Sequence, residues 1–358
     1  MSLNSRLLEH QFKLTSEITL QDHLSTKWQA PSNIALVKYW GKYGMQLPAN
    51  PSISLTLDSC HTLTTITATK DAHGFSISYD GEPKPEFAPK IEAYFKRIAD
   101  YCPWIAQYNF KIDTHNTFPH SSGIASSASS MAALSACMMD FESQLTGQEI
   151  DFHKASFLAR LGSGSACRSL KGSAVVWGTH DQADGSSQYF GVDKSDYLHP
   201  VFQDFQDTIL LVDKGEKVVS STVGHELMNG HAFAKARFSQ AHENLSMLKI
   251  ALQEGDLETF IKITESEALT LHAMMMTSHP YFILMKPKTL SIIEEIWAFR
   301  KETKIPVCFT LDAGANVHML YPLENKDTVQ GLINNKLAQY CQNGHYICDQ
   351  VGTGAKKC

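Results

Sequence analysis

The feature that most constrains this chain is a run of small residues that leads directly into an apolar helical pattern, PHSSGIASSASSMAAL (119–134). Small side chains let a ligand approach the backbone closely, and the free N–H groups at the start of a helix attract an anion. The run lacks the G-K-[S/T] of a Walker loop and the G-x-G-x-x-G fingerprint. We therefore favour phosphate binding here over the alternative, a tightly packed helix of small residues. The hydroxyls that can contact phosphate or hold Mg²⁺ belong to Ser121, Ser122, Ser126, Ser127 and Ser129.

Composition and charge exclude several classes of protein. Of 358 residues, 43% are hydrophobic and 19% are charged, which is typical of a globular chain and not of a disordered chain or a coiled coil. Lys plus Arg number 31 and Asp plus Glu number 37, giving a net charge of −6, so we expect no nucleic-acid partner. No apolar run approaches the roughly 18 residues of a membrane span, and residues 1–17 lack the apolar region of a secretory signal. We therefore expect no membrane partner either.

The cysteines point to the compartment. There are eight of them, scattered along the chain, and none forms a C-x-x-C pair. A disulfide framework or a zinc site is therefore not expected, whereas reduced thiols in a cytoplasmic protein are.

Hydrophobic periodicity predicts an α+β fold, because strand patterns dominate the first half and helices alternate with strands in the second. Alternating or short apolar runs predict strands at 52–69, 74–85, 109–118, 173–178, 208–213, 306–312 and 317–322. Helical spacing covers 89–102, 123–145, 151–170 (with a Gly/Ser break), 225–255, 256–277, 287–302 and 326–341. We predict an N-terminal extension (1–28), an N-terminal domain (29–200) and a C-terminal domain (201–358).

A second small-residue loop, LGSGSACRSLKG (161–172), resembles the first in composition. Its glycines and serines offer backbone and hydroxyl donors, and Arg168 offers a planar cation suited to phosphate or carboxylate. The alternative is a surface linker with a solvated arginine. Two such loops in one chain, one of them carrying an arginine, make a coincidence less plausible.

Two further segments carry candidate functional residues. In SNIALVKYWGK (32–42), Lys38 and Lys42 flank two aromatic residues, a pattern that also suits a half-exposed strand with snorkelling lysines. In FTLDAGANVHML (309–320), Asp312 follows an apolar strand and enters a glycine-containing turn. Catalytic acids often lie at such positions, but taken alone we favour ordinary turn chemistry there.

Together, in order and in detail, these four segments resemble the diphosphomevalonate decarboxylases of the GHMP kinase superfamily. NIALVKYWGK resembles the family's N-terminal motif, FPHSSGIASSASS its phosphate loop, GSGSACRSLKG its substrate loop, and FTLDAGANVHML the segment that holds its catalytic aspartate. The strand NPSISLTL and the later EALTLHAMMMTSHPYF also resemble it, and the similarity covers residues 30 to about 322.

The resemblance implies a fold and a reaction. The fold would have two α+β lobes, the N-terminal one like domain 2 of ribosomal protein S5 and the C-terminal one ferredoxin-like, with the site in the cleft between them. The reaction would be ATP-dependent decarboxylation of (R)-5-diphosphomevalonate to isopentenyl diphosphate, with ADP, phosphate and CO₂ released. The cofactors would be ATP and Mg²⁺, and the assembly a homodimer.

The resemblance also implies roles for individual residues. Asp312 would orient the substrate's 3-hydroxyl or take its proton, Lys38 would lie beside Asp312 and keep it ionised, and Arg168 would bind the substrate's carboxylate or diphosphate. Asn33 would hydrogen-bond the substrate or Arg168, and further substrate contacts would come from Tyr39, Lys42, Ser163 and Ser165. The ATP phosphates would be held by Pro119, Ser122, Gly123, Ala125, Ser126 and Ser127, with Ser127 also contacting Mg²⁺.

Three positions depart from the family's pattern. Ser76 falls near the place where eukaryotic members have an arginine, Ala315 stands where many members have proline, and Thr222 stands where bacterial members place an arginine toward the diphosphate. His225, Arg237 and Lys217 are the candidate replacements for that arginine.

Two alternatives stay open. One is a kinase or decarboxylase of the same fold that acts on mevalonate or its monophosphate. The other is a ligand-binding sensor without activity, although such a protein should have lost Asp312 or the phosphate loop. A serine hydrolase is set aside, because no G-x-S-x-G elbow is present.

Overall fold

The computed structural model describes residues 9–71, 73–119, 124–213, 215 and 221–358. The strands are β1 His23–Val37, β2 Lys42–Tyr43, β3 Leu47–Pro48, β4 Ser52–Lys70, β5 Gly74–Tyr79, β6 Glu82–Pro83, β7 Tyr108–Asn116, β8 Ala174–Trp177, β9 Val192–Asp193, β10 Gln206–Leu210, β11 Cys308–Thr310, β12 Val317–Tyr321, β13 Tyr346–Gln350 and β14 Lys356–Lys357. The helices are α1 Ala88–Ile98, α2 Ser126–Thr146, α3 Phe152–Gly162, α4 Pro200–Gln203, α5 Ser221–Glu226, α6 Ala234–Glu254, α7 Leu257–Met276, α8 Pro287–Thr303 and α9 Lys326–Leu332.

The larger sheet is built around the two long strands β1 and β4. Among the described residues it has eight strands, in the order β14-β1-β4-β7-β5-β6, with β8 paired to β4 and β9 to β8. All pairs are antiparallel except β5 with β7. Helix α2 packs against it and α3 packs against α2, and a core that includes Tyr94, Trp104 and Phe141 fills the space between.

A break in the β1–β4 register directs polar side chains toward the functional loops. The register shifts between Pro31 and Asn33, where proline has no N–H to donate to the ladder. Just beyond it, the Ser32 hydroxyl donates to the carbonyl of Ile124 (2.7 Å), and Asn33 contacts the loop that carries Arg168. The first strand therefore fixes both small-residue loops.

The smaller sheet has the order β11-β12-β10-β13 and is antiparallel throughout. Chain order β10, helices, β11, β12, α9, β13 gives the ferredoxin-like arrangement, as the sequence resemblance implied. Helices α6 and α7 belong to the first crossover and bring their buried faces to the end of β1. The whole is a mixed α+β fold.

The C-terminal segment returns to the larger sheet. β14 pairs with β1 through Trp28 and Lys357, and Lys357 Nζ donates to Asp140 on α2 at 2.8 Å. On the way, the amide of Ala355 donates to the carbonyl of Leu170 (2.9 Å), two residues beyond Arg168. The end of the chain therefore packs on the substrate loop.

Several local predictions need correction. Residues 23–28, which we assigned to an N-terminal extension, form the first part of β1. The pattern at 225–255 is two helices, α5 and α6, and the segment after the Gly/Ser break is a 3₁₀ turn, Gly164–Arg168. The final helix ends at Leu332 and continues as a π turn, Ile333–Leu337.

None of the helices within the described ranges is long and apolar enough to cross a membrane.

Candidate active site

Lys38 and Asp312 form an ion pair at the junction of the two sheets. Lys38 directly follows β1, Asp312 lies two residues after β11, and Lys38 Nζ is 3.4 Å from Asp312 Oδ1. The Lys38 side chain is 2% exposed and that of Asp312 is 25% exposed. Burial lowers the pKa of Lys38, and the Asp312 carboxylate opposes that shift. The expected proximity is present, with the carboxylate as the accessible partner.

The main chain of Lys38 is held by a buried ion pair between Arg237 on α6 and Glu267 on α7. Its amide donates to Glu267 Oε2 (2.8 Å), and its carbonyl accepts from Arg237 (3.2 Å) and from Asn50 Nδ2 (2.9 Å). Arg237 also donates to both oxygens of Glu267, a fully buried carboxylate. Arg237 is therefore engaged and cannot serve as the diphosphate-side cation.

The main chain of Asp312 is held by His272 on α7. Nε2 of His272 lies 3.2 Å from the carbonyl oxygen of Asp312. A carbonyl only accepts, so this nitrogen carries the hydrogen. Burial lowers the pKa of His272 to about 4, and the ring is neutral at physiological pH.

Arg168 is buried and oriented by side chains of two strands. Its Nε and one terminal nitrogen each donate to Asn33 Oδ1 (3.3 Å), the other terminal nitrogen donates to Ser52 Oγ (2.7 Å), and its guanidinium lies 5.8 Å from the centre of the Trp177 ring. Asn33 in turn donates to Ser169 Oγ (2.8 Å) and to the carbonyl of Ser165 (3.3 Å). Burial lowers the pKa of Arg168, and the charge of Asp312 opposes the shift. The expected Asn33–Arg168 contact is present.

An aromatic cluster lies between the substrate loop and α5. The Tyr39 ring is 4.6 Å from that of Trp177 and 4.1 Å from that of His225. A Cβ at Gly164 would lie 2.9 Å from the Tyr39 hydroxyl, which explains why this position of the G-S-G-S run has no side chain. Burial raises the pKa of Tyr39, so its hydroxyl stays a neutral donor.

His225 is a neutral member of this cluster. Its Nδ1 accepts a hydrogen bond from the Gly41 amide (3.0 Å), and burial lowers its pKa to about 3. It therefore brings no positive charge to the diphosphate side. Lys42, which is half-buried and donates to Gln46 Oε1 (3.3 Å), is a cation in this region. Lys217 and the side chain of Thr222 lie outside the described residues.

The phosphate loop and the substrate loop meet at the start of α2. Ala125 adopts a left-handed conformation (φ 42°) and caps the helix, so the first turn begins with Ser126 and Ser127. Ser127 Oγ lies 3.4 Å from Ser163 Oγ at the end of α3. Pro119 is half-buried at the near side of this loop. Ser122 and Gly123, two of the residues expected to bind ATP, lie outside the described residues.

A cavity of about 310 Å³ opens beside Ser126 and Ser127. The walls of this cavity come from alternate positions of several strands and from two helices, a pattern that does not show in the sequence. The lining residues are Thr64, Ile77, Tyr79, Phe87, Lys90, Ile91, Ile112, Thr114, Asn116, Ser126, Ser127, Ser130, Met131 and Leu134. The cavity is mostly apolar and adjoins the N-terminus of α2, features that suit the base of a nucleotide.

No group of three or more His, Cys, Asp or Glu side chains suited to a metal ion occurs in the part of the chain that the structure describes. Mg²⁺ prefers oxygen ligands and is commonly held by one or two protein oxygens together with substrate phosphates. The Ser127 hydroxyl fits that donor set.

Two family models match the chain. Residues 30–189 match the diphosphomevalonate decarboxylase-like N-terminal domain, and residues 208–355 match the mevalonate 5-diphosphate decarboxylase C-terminal domain. Between them they cover most of the 358 residues. The chain belongs to the diphosphomevalonate decarboxylase family. The sequence resemblance is confirmed, and with it the GHMP kinase superfamily.

Curated relatives and solved structures agree. The diphosphomevalonate decarboxylase of Gibberella zeae is 30% identical over 322 residues, which is 84% of this chain and 82% of the relative. That of Saccharomyces cerevisiae is 31% identical over 326 residues, 85% of this chain and 79% of the relative.

Among solved structures, mevalonate diphosphate decarboxylase from Staphylococcus aureus is 28% identical, with a TM-score of 0.81 over 94% of this chain and 98% of that one. A complex of MDDEF with MVAPP, AMPPCP and magnesium is 28% identical, with a TM-score of 0.80 over 94% of this chain and 99% of that one. The decarboxylase fold therefore extends over nearly all of this family member.

Proposed function

We propose that this chain catalyses the ATP-dependent decarboxylation of (R)-5-diphosphomevalonate to isopentenyl diphosphate, with release of ADP, phosphate and CO₂. The observation that carries the proposal is the Lys38–Asp312 pair, with Arg168 buried beside it and the loop that carries Arg168 in contact with the phosphate loop through Ser163 and Ser127. The solved complex with MVAPP, AMPPCP and magnesium supports the choice of substrate, of ATP and of Mg²⁺.

In the first step, the tertiary 3-hydroxyl of the substrate attacks the γ-phosphorus of ATP. Asp312 accepts or orients the hydroxyl proton, a contribution of about 10²–10⁴-fold for a well-placed general base. Lys38 lies 3.4 Å away and favours the ionised carboxylate. As in phosphoryl transfer generally, positioning and charge stabilisation supply the rest.

The loop before α2 holds the nucleotide. The amides of Ser126 and Ser127 lie in the first turn of a 21-residue helix, where unpaired N–H groups and the helix dipole favour phosphate. Pro119, Ser122, Gly123 and Ala125 of the same loop would also contact the ATP phosphates. Bound Mg²⁺ would neutralise charge on the phosphates, with the Ser127 hydroxyl as a protein ligand.

The substrate's anionic ends would be held by the second loop and the end of β1. Arg168 would bind the carboxylate or the diphosphate, and its locked geometry suits a planar anion. Ser163 and Ser165 of the same loop would contact the diphosphate, with Tyr39 and Lys42 on its other side.

In the second step, the C–O bond to the new phosphate breaks and positive charge develops at the tertiary carbon. The electrons of the C–C bond to the carboxylate then form the new double bond, and CO₂ and phosphate leave. A kinase that lacks this arrangement of charged groups around the substrate's two anionic ends would stop at the phosphate ester.

Two observations favour the alternative in which the substrate is mevalonate or its monophosphate. His225 is neutral, and Arg237 is already paired with Glu267. These two candidates for the missing diphosphate-side arginine bring no free cation to that side. A pocket with fewer cations would favour mevalonate or its monophosphate as substrate.

One experiment distinguishes the proposed decarboxylase from the alternative functions. ADP and CO₂ are followed together with Mg²⁺-ATP and, in separate vessels, diphosphomevalonate, mevalonate monophosphate and mevalonate. CO₂ equal to ADP with the diphosphate alone supports the proposal. ADP without CO₂ indicates a kinase, and CO₂ from the monophosphate indicates the altered specificity. Absence of turnover with all three substrates would indicate a ligand-binding sensor without activity.

We also propose a cytoplasmic location and a homodimer. All eight cysteines are free thiols, six of them buried, which supports a reducing compartment. Tyr281 and Ile283 are 73% and 66% exposed, and apolar side chains of that kind are common at subunit contacts. Light scattering on the purified chain measures the assembly state, and Tyr281→Ser and Ile283→Ser test whether this surface contributes to it.

A further inference from the structure

Helix α7 contacts the main chain of both partners in the Lys38–Asp312 pair. Glu267 accepts from the Lys38 amide at 2.8 Å, and His272 donates to the Asp312 carbonyl at 3.2 Å. Both α7 residues are buried, Glu267 at 0% and His272 at 1% exposure. Both contacts are to main-chain atoms of the pair and not to its side chains.

The two contacts are needed because neither Lys38 nor Asp312 lies within a regular element. Lys38 follows the last residue of β1, and Asp312 lies between β11 and β12 in a loop. Five residues along a helix span about 7.5 Å at 1.5 Å per residue. Anchoring each main chain to one rigid helix therefore fixes the distance between them.

The carboxylate of Glu267 is itself held in place by several hydrogen bonds. Arg237 donates to both of its oxygens, Asn244 Nδ2 donates to Oε1, and Arg237 closes the ring by donating to the Lys38 carbonyl. Arg237 and Asn244 belong to α6. A buried charge pair of this kind adds little net stability, which leaves geometry as the physical reason for placing it here.

We propose that Glu267 and His272 are positioning residues that set the separation of Lys38 and Asp312, with Arg237 as the partner that fixes Glu267. The inference rests on the proposed function, in which that pair is catalytic.

The first test is on His272. Glutamine can place an amide N–H near the position of Nε2, whereas leucine fills the space without a donor. His272→Leu is expected to lower kcat by roughly 10- to 100-fold, as expected for a misplacement of about 1 Å. The KM for ATP should not change, and His272→Gln should retain most of the kcat. Wild-type kcat in His272→Leu, or equal loss in both variants, would overturn the proposal.

The second test removes the Glu267 anchor without leaving a buried charge. Replacement of a buried ion pair by apolar residues of similar size is often neutral for stability, so Arg237→Met/Glu267→Met is expected to fold. Its kcat should fall at least as far as that of His272→Leu. The control is Glu265→Gln on the same helix, α7. It breaks the ion pair with Arg300 (2.6 Å), which lies away from the site, and it should leave kcat unchanged. A fully active double variant would overturn the proposal.

A crystal structure of each unliganded variant separates this inference from the proposed function. The Lys38 Nζ–Asp312 Oδ1 distance should lengthen in His272→Leu and in the double variant, and it should not change in Glu265→Gln. If the wild type fails to release CO₂ while the distances change as stated, the proposed function fails and the positioning role stands. Unchanged distances would overturn the positioning role whatever the activity.

Discussion

Nζ of Lys38 lies 3.4 Å from Oδ1 of Asp312, although 274 positions separate the two residues in the chain. The contact joins the end of the first strand of the larger sheet to a loop of the smaller one, so it exists only when both halves are folded and docked. Arg168 lies close enough for the Asp312 charge to oppose the lowering of its pKa by burial. Folding therefore brings together a base, a cation that keeps it ionised and an anion-binding arginine.

Arg168→Lys should weaken substrate binding more than it weakens chemistry. Lysine keeps the charge but cannot donate to Asn33 and Ser52 at the same time as it holds a planar anion. We expect the KM for diphosphomevalonate to rise about 10-fold or more, since hydrogen bonds to charged groups contribute about 1.5–3 kcal/mol. Steady-state kinetics with ATP saturating measures it, and an unchanged KM and kcat would remove Arg168 from the site.

Asn33→Ala provides the matched test of how Arg168 is oriented. The change leaves Arg168 in place but removes the oxygen to which it donates twice. We expect a smaller rise in the same KM than in Arg168→Lys, with the KM for ATP unchanged. An effect on ATP binding alone would contradict the contacts described.

Ser127→Ala should weaken nucleotide and Mg²⁺ use. The hydroxyl lies in the first helical turn beside the cavity and next to Ser163. We expect the apparent affinity for Mg²⁺ in turnover to fall, with the KM for diphosphomevalonate nearly constant. Ser130→Ala, which lines the same cavity but donates to the Ser126 carbonyl, is the control. Equal behaviour of the two variants would place Mg²⁺ elsewhere.

Stability should fall as the pH falls below about 6.5. His225 and His272 are buried and neutral, with pKa values lowered to about 3 and about 4, whereas an unfolded histidine titrates near 6.5. Between these values the unfolded state binds more protons, so stability is complete above pH 6.5 and is lost on acidification, by about 1.4 kcal/mol per pH unit and per histidine.

Urea unfolding between pH 7 and pH 5 measures this loss. His272→Gln should show a shallower pH dependence than the wild type, because one of the two buried histidines is gone. Identical slopes would mean that His272 is not held neutral in the folded chain.

Sequence could predict the parts of the fold and site that depend on local pattern. Alternation in β4 predicts its buried face. The resemblance to the family implies that Lys38 lies beside Asp312 and that Asn33 contacts the substrate or Arg168, and the structure has both the Lys38–Asp312 and the Asn33–Arg168 contact. The small-residue start of α2 is visible because the residues that form the loop are contiguous.

The remainder depends on pairings that local pattern does not encode. Residues 23–28 alternate but are short and polar, and they become a strand because β4 and the distant β14 pair with them. Glu267 and His272 look like ordinary polar positions of a helix, and only the docking of α7 against the end of β1 and the Asp312 loop gives them partners. The cavity beside Ser126 and Ser127 is similarly assembled from alternate residues of separate strands.

The most direct test of the account is to measure ADP and CO₂ together in the wild type and in Asp312→Asn, with ATP affinity measured by calorimetry. The account predicts one CO₂ per ADP for the wild type with diphosphomevalonate. In Asp312→Asn it predicts a loss of about 10² to 10⁴ in kcat, with folding and ATP affinity nearly unchanged. Turnover by Asp312→Asn near the wild-type rate would contradict the central role given to this carboxylate.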